Sequence, residues 1–265
     1  MSAGIKLRKR RKDSHKGENG RVLFVGGSID YVGAVYLAGM AAFRSGVDNV
    51  TIAAPEKAAW ALNCLSPDFI TVKIKGEYFR TAAAKKIIGL AKNFDVVVIG
   101  NGIGVRNETK KFAAAVIKKV KALKVIDADA IKSIRLQDVS NAVITPHKKE
   151  FEILLRNSNC SEKNIQKIIG NNVIIVKAAV DKIISKNKTA LNRTGHAGMT
   201  VSGTGDVLAG LVAGILAQEK DLWKAAVAAA YINGKIGQKL SKRFGYGFTA
   251  SDMLDLIGKE VSWLT

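Results

Sequence analysis

Short unbroken apolar runs alternate along the chain with stretches whose apolar residues return every three or four positions. The first pattern is that of strands covered on both faces, the second that of helices with one buried side. The runs predict strands over Arg21–Val25, Val50–Ala53, Ile70–Ile74, Asp95–Ile99, Val125–Asp127, Ala142–Thr145 and Val173–Val176, with Lys182–Ser185 as a hairpin partner or neighbour of the last. Between them, helices are predicted over Ala34–Ser45, Glu56–Leu65, Thr81–Ala91 and Thr109–Lys121. Gly46 is placed to end the first of these, because a glycine just past a helix enters the left-handed region without Cβ strain. Two long helices rich in alanine and glycine follow, about Asp206–Gln218 and Leu222–Leu240, and a last one starts near Ser251.

Strands alternating with helices predict an α/β fold, a mostly parallel central sheet with helices on both faces. No repeat or linker interrupts the pattern after residue 20. Residues 21–265 therefore read as one domain, preceded at 1–20 by a mobile basic arm and a polar loop. In such sheets ligands bind outside the carboxyl ends of the strands. The turns Gly26-Gly27 and Gly100-Asn101-Gly102-Ile103-Gly104 fall at those ends and are expected to line one cleft.

Composition narrows the setting. Apolar residues make up 48% of the 265, enough for a sizeable core, and charged residues at 24% are ordinary for a globular chain. Two cysteines far apart, Cys64 and Cys160, exclude a disulfide framework or a CxxC zinc site and fit a reducing, cytoplasmic setting. No secretory signal is visible, and the longest apolar run, Leu208–Ala217, is too short to span a membrane. The net charge is +20, and six of the seven residues from Lys6 to Lys12 are basic. Such charge can hold a polyanion. Here no nucleic-acid motif accompanies it and aromatics are only 6%, so no nucleic-acid partner is expected. The expected reason for the excess is a basic, lysine-rich proteome together with an acidic ligand to attract.

The segment richest in chemistry is Gly203-Thr204-Gly205-Asp206, which opens an apolar helix. Glycines let backbone N–H groups turn toward an anion, and a helix N-terminus adds unsatisfied donors and partial positive charge. Together they suit a transferring phosphoryl group, and Asp206 in the first turn can take a proton from an attacking hydroxyl. The competing reading is a plain turn with Asp206 as a cap. Gly100 to Gly104 is not a GxGxxG fingerprint, since Val105 stands where the last glycine belongs, and no GxxxxGK[ST] occurs. His147 and Glu150, on a strand-to-helix turn, make a weak metal motif without a third ligand. Asp127 and Asp129 could face phosphates or could serve as caps.

The GTGD segment resembles the anion-hole motif of the ribokinase-like superfamily. Several further segments resemble its NAD(P)H-hydrate dehydratase branch in order. They are His15-Lys16-Gly17, Gly26-Gly27-Ser28, Tyr31, Gly33-Ala34, Gly100 to Gly104, Asp127-Ala128-Asp129-Ala130, Thr145-Pro146-His147-Lys148-Lys149-Glu150, Asn192-Arg193-Thr194-Gly195 and Ser251-Asp252. The resemblance covers nearly the whole chain. It implies a ribokinase-like fold, with Asp206, Gly203 and Gly205 catalytic. Gly33, Ala34, Gly102, Gly104, His147 and Asp206 would contact substrate. Lys177, Ala178, Ala179, Val180, Asp181, Asn192, Thr204 and Gly205 would contact the nucleotide, and Glu150 would act on Mg²⁺ through water. The sequence departs from its relatives at Ala178, where they usually carry glycine, and at Asn101, where they usually carry proline. Asparagine suits turns, so Asn101 is expected to be tolerated there.

The implied substrate is the S epimer of hydrated NADH or NADPH, with ADP or ATP as phosphoryl donor. Phosphorylation of the ring hydroxyl would turn a poor leaving group into a good one. A cytoplasmic homo-oligomer and a separate NAD(P)H-hydrate epimerase as functional partner are also implied. Two rivals are a ribokinase-like kinase of a small alcohol, such as a sugar or vitamin precursor, and a polyanion-binding protein that has lost activity.

Overall fold

A computed structural model describes residues 5–265 of the chain. Among the described residues nine strands form one sheet: β1 Arg21–Val25, β2 Asn49–Pro55, β3 Ile70–Ile74, β4 Val96–Ile99, β5 Leu123–Ile126, β6 Ala142–Ile144, β7 Val173–Val176, β8 Asp181–Ile184 and β9 Thr189–Asn192. Their order is β3-β2-β1-β4-β5-β6-β7-β8-β9. The first seven pair in parallel, and β8 and β9 extend the sheet as antiparallel strands beyond β7. The helices are α1 Gly33–Arg44, α2 Glu56–Leu65, α3 Ala84–Leu90, α4 Asn107–Lys119, α5 Lys148–Asn157, α6 Ile165–Ile168, α7 Thr204–Glu219, α8 Leu222–Phe244 and α9 Ala250–Ser262.

The central strands are apolar because each buries both faces. Val22, Phe24, Val96, Val98, Val125 and Val143 point into one core with α1, α2, α7, α8 and α9. Leu23, Val25, Val97, Ile99, Ile126 and Ile144, one residue out of step, point into the other with α3, α4 and α5. This is the period-two alternation of a strand read on two sides. One charge enters the second core. Lys124 is 1% exposed and donates to the carbonyls of Val120 and Ala122 in the loop between α4 and β5, with burial pulling its ammonium down to about 8.

Helices α1 and α7 cross so closely that a Cβ on Gly210 would stand 2.0 Å from the Ala38 carbonyl oxygen. The absence of side chains at Gly210 and Gly214 lets the two helices pack this closely. Strand order reverses between β1 and β4, on whose carboxyl ends Gly26-Gly27 and Gly100 to Gly104 sit. That reversal is where open α/β sheets leave a crevice.

Three expectations change. The helix predicted over Thr81–Ala91 begins as a tight 3-10 turn at Thr81–Ala83 and becomes α-helical only from Ala84. β9 and α5 add elements that the pattern did not delimit. The segment expected to be a mobile basic arm is anchored over its described part. Leu7 is 5% exposed and its N–H donates to the Leu264 carbonyl, Arg8 N–H meets Glu219, and Arg10 pairs with Asp48 at 2.6 Å. Residues 1–4 of that arm lie outside the described part. Among the described residues no helix is long and apolar enough to cross a membrane.

Candidate active site

Four strand ends and one helix start meet in a polar cluster. Asp127 follows β5 and is 1% exposed. Its Oδ1 accepts from the Thr145 hydroxyl at 2.7 Å and from Lys177 Nζ at 3.0 Å, while its Oδ2 accepts from Asn101 Nδ2 at 3.0 Å. The same Asn101 nitrogen donates to Asp206 Oδ1 at 2.7 Å. Asn101 follows β4, Thr145 follows β6, Lys177 follows β7, and Asp206 lies in the first turn of α7. The parallel sheet is what gathers them: every one of these side chains leaves at a strand's carboxyl end or faces it.

The α7 N-terminus is prepared for an anion. Gly203 has φ +97°, a left-handed conformation that sets the chain's entry into the helix. No side chain caps this end, and the first helical bond runs from Val207 N–H to the Gly203 carbonyl. Among the described residues the N–H groups of Thr204, Gly205 and Asp206 have no acceptor within the protein. The Thr204 hydroxyl, in contrast, donates to the carbonyls of Met199 and Val201 and holds the preceding loop. A Cβ on Gly205 would come within 3.2 Å of Lys177 Nζ, so the ammonium stands beside the same amides.

Burial and the neighbouring Asp127 push the Asp206 carboxyl from 3.8 up to about 7, although Asn101 and Lys177 work in the opposite direction. Burial by itself would lower Lys177, yet Asp127, Glu150 and Asp206 outweigh it and carry the lysine above its ordinary value. The pair of shifts is consistent: a cation surrounded by carboxylates stays protonated, and a carboxylate facing another carboxylate holds its proton longer. Asp206 is thus a carboxylate that can take and release a proton near neutrality.

The other residues singled out in the sequence fall into three groups. Ala34 and Gly102 are brought together: a Cβ on Gly102, where φ is +69°, would touch the Tyr31 carbonyl oxygen at 2.7 Å and the Ala34 Cβ at 3.4 Å. Gly33 is exposed beside them, and Gly104 donates its N–H to Asp129 Oδ2 at 3.1 Å. The Lys177 to Asp181 turn forms the second group. Asp181 accepts from Ala178 N–H at 3.0 Å and from Asn192 Nδ2 at 3.0 Å, and burial raises its carboxyl. Asn192 also donates to the Ala230 carbonyl, so both residues shape the turn from beneath, leaving exposed Ala178 and Ala179 to face outward.

The third group is His147 and Glu150, joined in a capping box at the start of α5. The His147 ring accepts from the N–H groups of Lys149 and Glu150, and the Glu150 carboxylate accepts from His147 N–H at 3.0 Å. This occupies part of the Glu150 acceptor capacity. Among the described residues no three His, Cys, Asp or Glu side chains converge as a metal cage. A protein-held ion does not fit this donor set; one carried by nucleotide phosphates and water does, which is the habit of Mg²⁺. His15-Lys16-Gly17 lies elsewhere. Gly17 and Asn19 donate to Asp48, just before β2 and so at the amino ends of the strands.

Sequence reading missed the side-chain role of Asn101. It treated this residue as a turn former, but its φ is not positive; Gly100 and Gly102 on either side carry that conformation, at +130° and +69°. It also gave no separate role to Thr145, whose hydroxyl orients Asp127. A hydroxyl at a strand's carboxyl end was the available signal.

The NAD(P)H-hydrate dehydratase family model matches residues 22–259. An ADP-dependent (S)-NAD(P)H-hydrate dehydratase of Cenarchaeum symbiosum is 36% identical over 260 residues, 94% of this chain and 90% of that one. A bifunctional NAD(P)H-hydrate repair enzyme of Pyrobaculum aerophilum is 40% identical over 262 residues, 95% of this chain and 52% of the relative. The chain spans about half the length of the bifunctional relatives it matches. In fold it is similar to the ADP/ATP-dependent NAD(P)H-hydrate dehydratase from Bacillus subtilis co-crystallized with ATP/Mg²⁺. The TM-score is 0.83 at 23% identity, covering 98% of this chain and 95% of that one. A ribokinase-like superfamily protein from Enterococcus faecalis gives a TM-score of 0.85 at 25% identity over 98% and 93% of the two chains. With its sequence and its sheet both matched over nearly their full length, the chain belongs to the NAD(P)H-hydrate dehydratase family.

Proposed function

We propose that this chain restores the S epimer of hydrated NADH or NADPH to the normal dihydropyridine, using ADP or ATP as phosphoryl donor. The observation that carries the reading is the Asp206 carboxylate, fixed by Asn101 beside three uncommitted helix N-terminal amides and the Lys177 ammonium. Family membership supports the choice of substrate.

In this reading Asp206 takes the proton of the ring hydroxyl. The hydroxyl oxygen forms its bond to the terminal phosphorus as the bond from that phosphorus to the nucleotide's bridging oxygen breaks. The amides of Thr204, Gly205 and Asp206 and the Lys177 ammonium hold the charge on the moving phosphoryl group. The ring nitrogen's lone pair then expels phosphate from carbon 6. Loss of a proton from carbon 5 restores the double bond. Gly33, Ala34, Gly102 and Gly104 shape the wall against the nicotinamide ring, with His147 at its margin. The Lys177 to Asp181 turn, supported by Asn192, meets the nucleotide. Mg²⁺ would lie on the nucleotide phosphates, neutralising charge, with Glu150 reaching it through water. A separate epimerase activity would supply the S epimer from its R counterpart. The unpaired thiols of Cys64 and Cys160 suit a reducing, cytoplasmic setting.

Hydrated NADH incubated with the protein, Mg²⁺ and ADP or ATP should regain the absorbance of reduced nicotinamide. Recovery with neither nucleotide, or accumulation of a stable phosphorylated product, would overturn this assignment.

A further inference from the structure

We infer that Asn101 is a positioning residue for the Asp206 base, pinning one oxygen of that carboxylate and leaving the other to receive the substrate proton. The inference rests on phosphoryl transfer with Asp206 as the base. Asn101 is 1% exposed, and its Nδ2 gives one hydrogen to Asp206 Oδ1 at 2.7 Å and the other to Asp127 Oδ2 at 3.0 Å. Its Oδ1 is buried without a partner. The amide orientation is therefore set wholly by the two acids on its nitrogen side. The backbone is held as firmly: the Asn101 carbonyl accepts from Gly27 N–H at 2.8 Å. A rigid donor thus links the ends of two neighbouring strands to a helix start.

The groups facing Asp206 are the carboxylates of Asp127 and Asp129 and the ammonium of Lys177. Asp127 is also held by Thr145 and Lys177. Asn101 is the neutral donor that lets two carboxylates lie side by side, each receiving one hydrogen. With Oδ1 of Asp206 engaged, Oδ2 is the oxygen available for a proton, and a protonated Asp206 can keep accepting from Asn101. The bond therefore persists through the reaction and fixes the carboxylate's orientation toward the α7 amides.

The test is the pH dependence of kcat/KM in Asn101→Ala and Asn101→Asp, followed from about pH 5 to about pH 9. Loss of the shared donor should move the acid limb of the Ala variant upward by about one pH unit, and that of the Asp variant further, because a third carboxylate joins the cluster. The plateau should fall about tenfold, and KM for the nucleotide should stay within about twofold. A limb that coincides with wild type in folded variants, even with a lower plateau, overturns the inference, since a merely structural role would depress the rate without moving the profile. Asn101→Asp nearly preserves side-chain volume and carries the test should the Ala variant not fold. Wild-type turnover in Asp206→Asn would instead remove the base itself. An inactive Asp206→Asn beside unshifted Asn101 variants removes only the positioning role of Asn101.

Discussion

The two glycine-rich turns look alike in the sequence and behave differently in space. In Gly100 to Gly104 the glycines serve proximity. A Cβ on Gly100 would stand 1.8 Å from the Asp127 carbonyl oxygen, Ile103 N–H returns to the Gly100 carbonyl, and Gly104 N–H reaches Asp129. In Gly203 to Asp206 the glycines serve exposure of the backbone: the amides of Thr204, Gly205 and Asp206 keep their hydrogens for something outside the protein. A glycine-rich turn is thus a statement about backbone freedom, and its chemistry depends on whether the freed donors find partners at home.

The comparison breaks first at Asp206. Asp206→Asn removes the proposed proton acceptor while preserving shape, and should lower kcat by about 10³-fold with little change in nucleotide affinity, read by single-turnover kinetics and calorimetric titration. Gly100→Ala should act on the fold instead. The clash with Asp127 and φ +130° should cost about 3 kcal/mol, seen as a lowered urea midpoint. Gly205→Ala sharpens the contrast: its φ is not left-handed and the ion-paired Lys177 Nζ must give way by only a few tenths of an ångström, so melting should barely move while turnover drops about tenfold. The smallest effect is electrostatic. Asp206 is raised from 3.8 to about 7 in the folded state. Between those values the folded state binds more protons than the unfolded, so this group's contribution to stability falls as pH rises through the window. The melting temperature of Asp206→Asn relative to wild type should therefore be higher at pH about 8 than at pH about 4; equal differences at both would mean that the shift is absent.

Much of the sheet was legible because strands buried on both faces cannot hide among polar residues: β1 and β7 fall on the predicted boundaries, as do the more exposed β3 and the helix α2. β9 was not, since Thr189 and Leu191 face solvent on an edge strand paired on one side only. The start of α5 was expected at the turn carrying His147 and Glu150, but its range was not delimited, its cap being a histidine rather than the usual Ser, Thr, Asp or Asn. Leu7 was lost among six cations although it is the side chain that seats the segment. At the site, the GTGD segment declared itself locally, by residue type and spacing. Asn101 could not, because its meaning lies in contacts with Asp127, 26 positions along, and Asp206, 105 positions along. Asp181 and Asn192 were named as nucleotide contacts by resemblance; their mutual hydrogen bond shows how they sit, under the turn instead of in front of it.

The pairing of Leu7 with Leu264 brings the first and last parts of the described chain together near Glu219. Glu219 and Asp206 are thirteen positions apart on α7, roughly 20 Å at the rise of an α-helix. A tag or tether grafted beside Leu7 or Leu264 would therefore sit at the end of α7 opposite Asp206. New ends could likewise be cut elsewhere and the old ones stitched together without crowding the strand-end crevice where Asp206 lies.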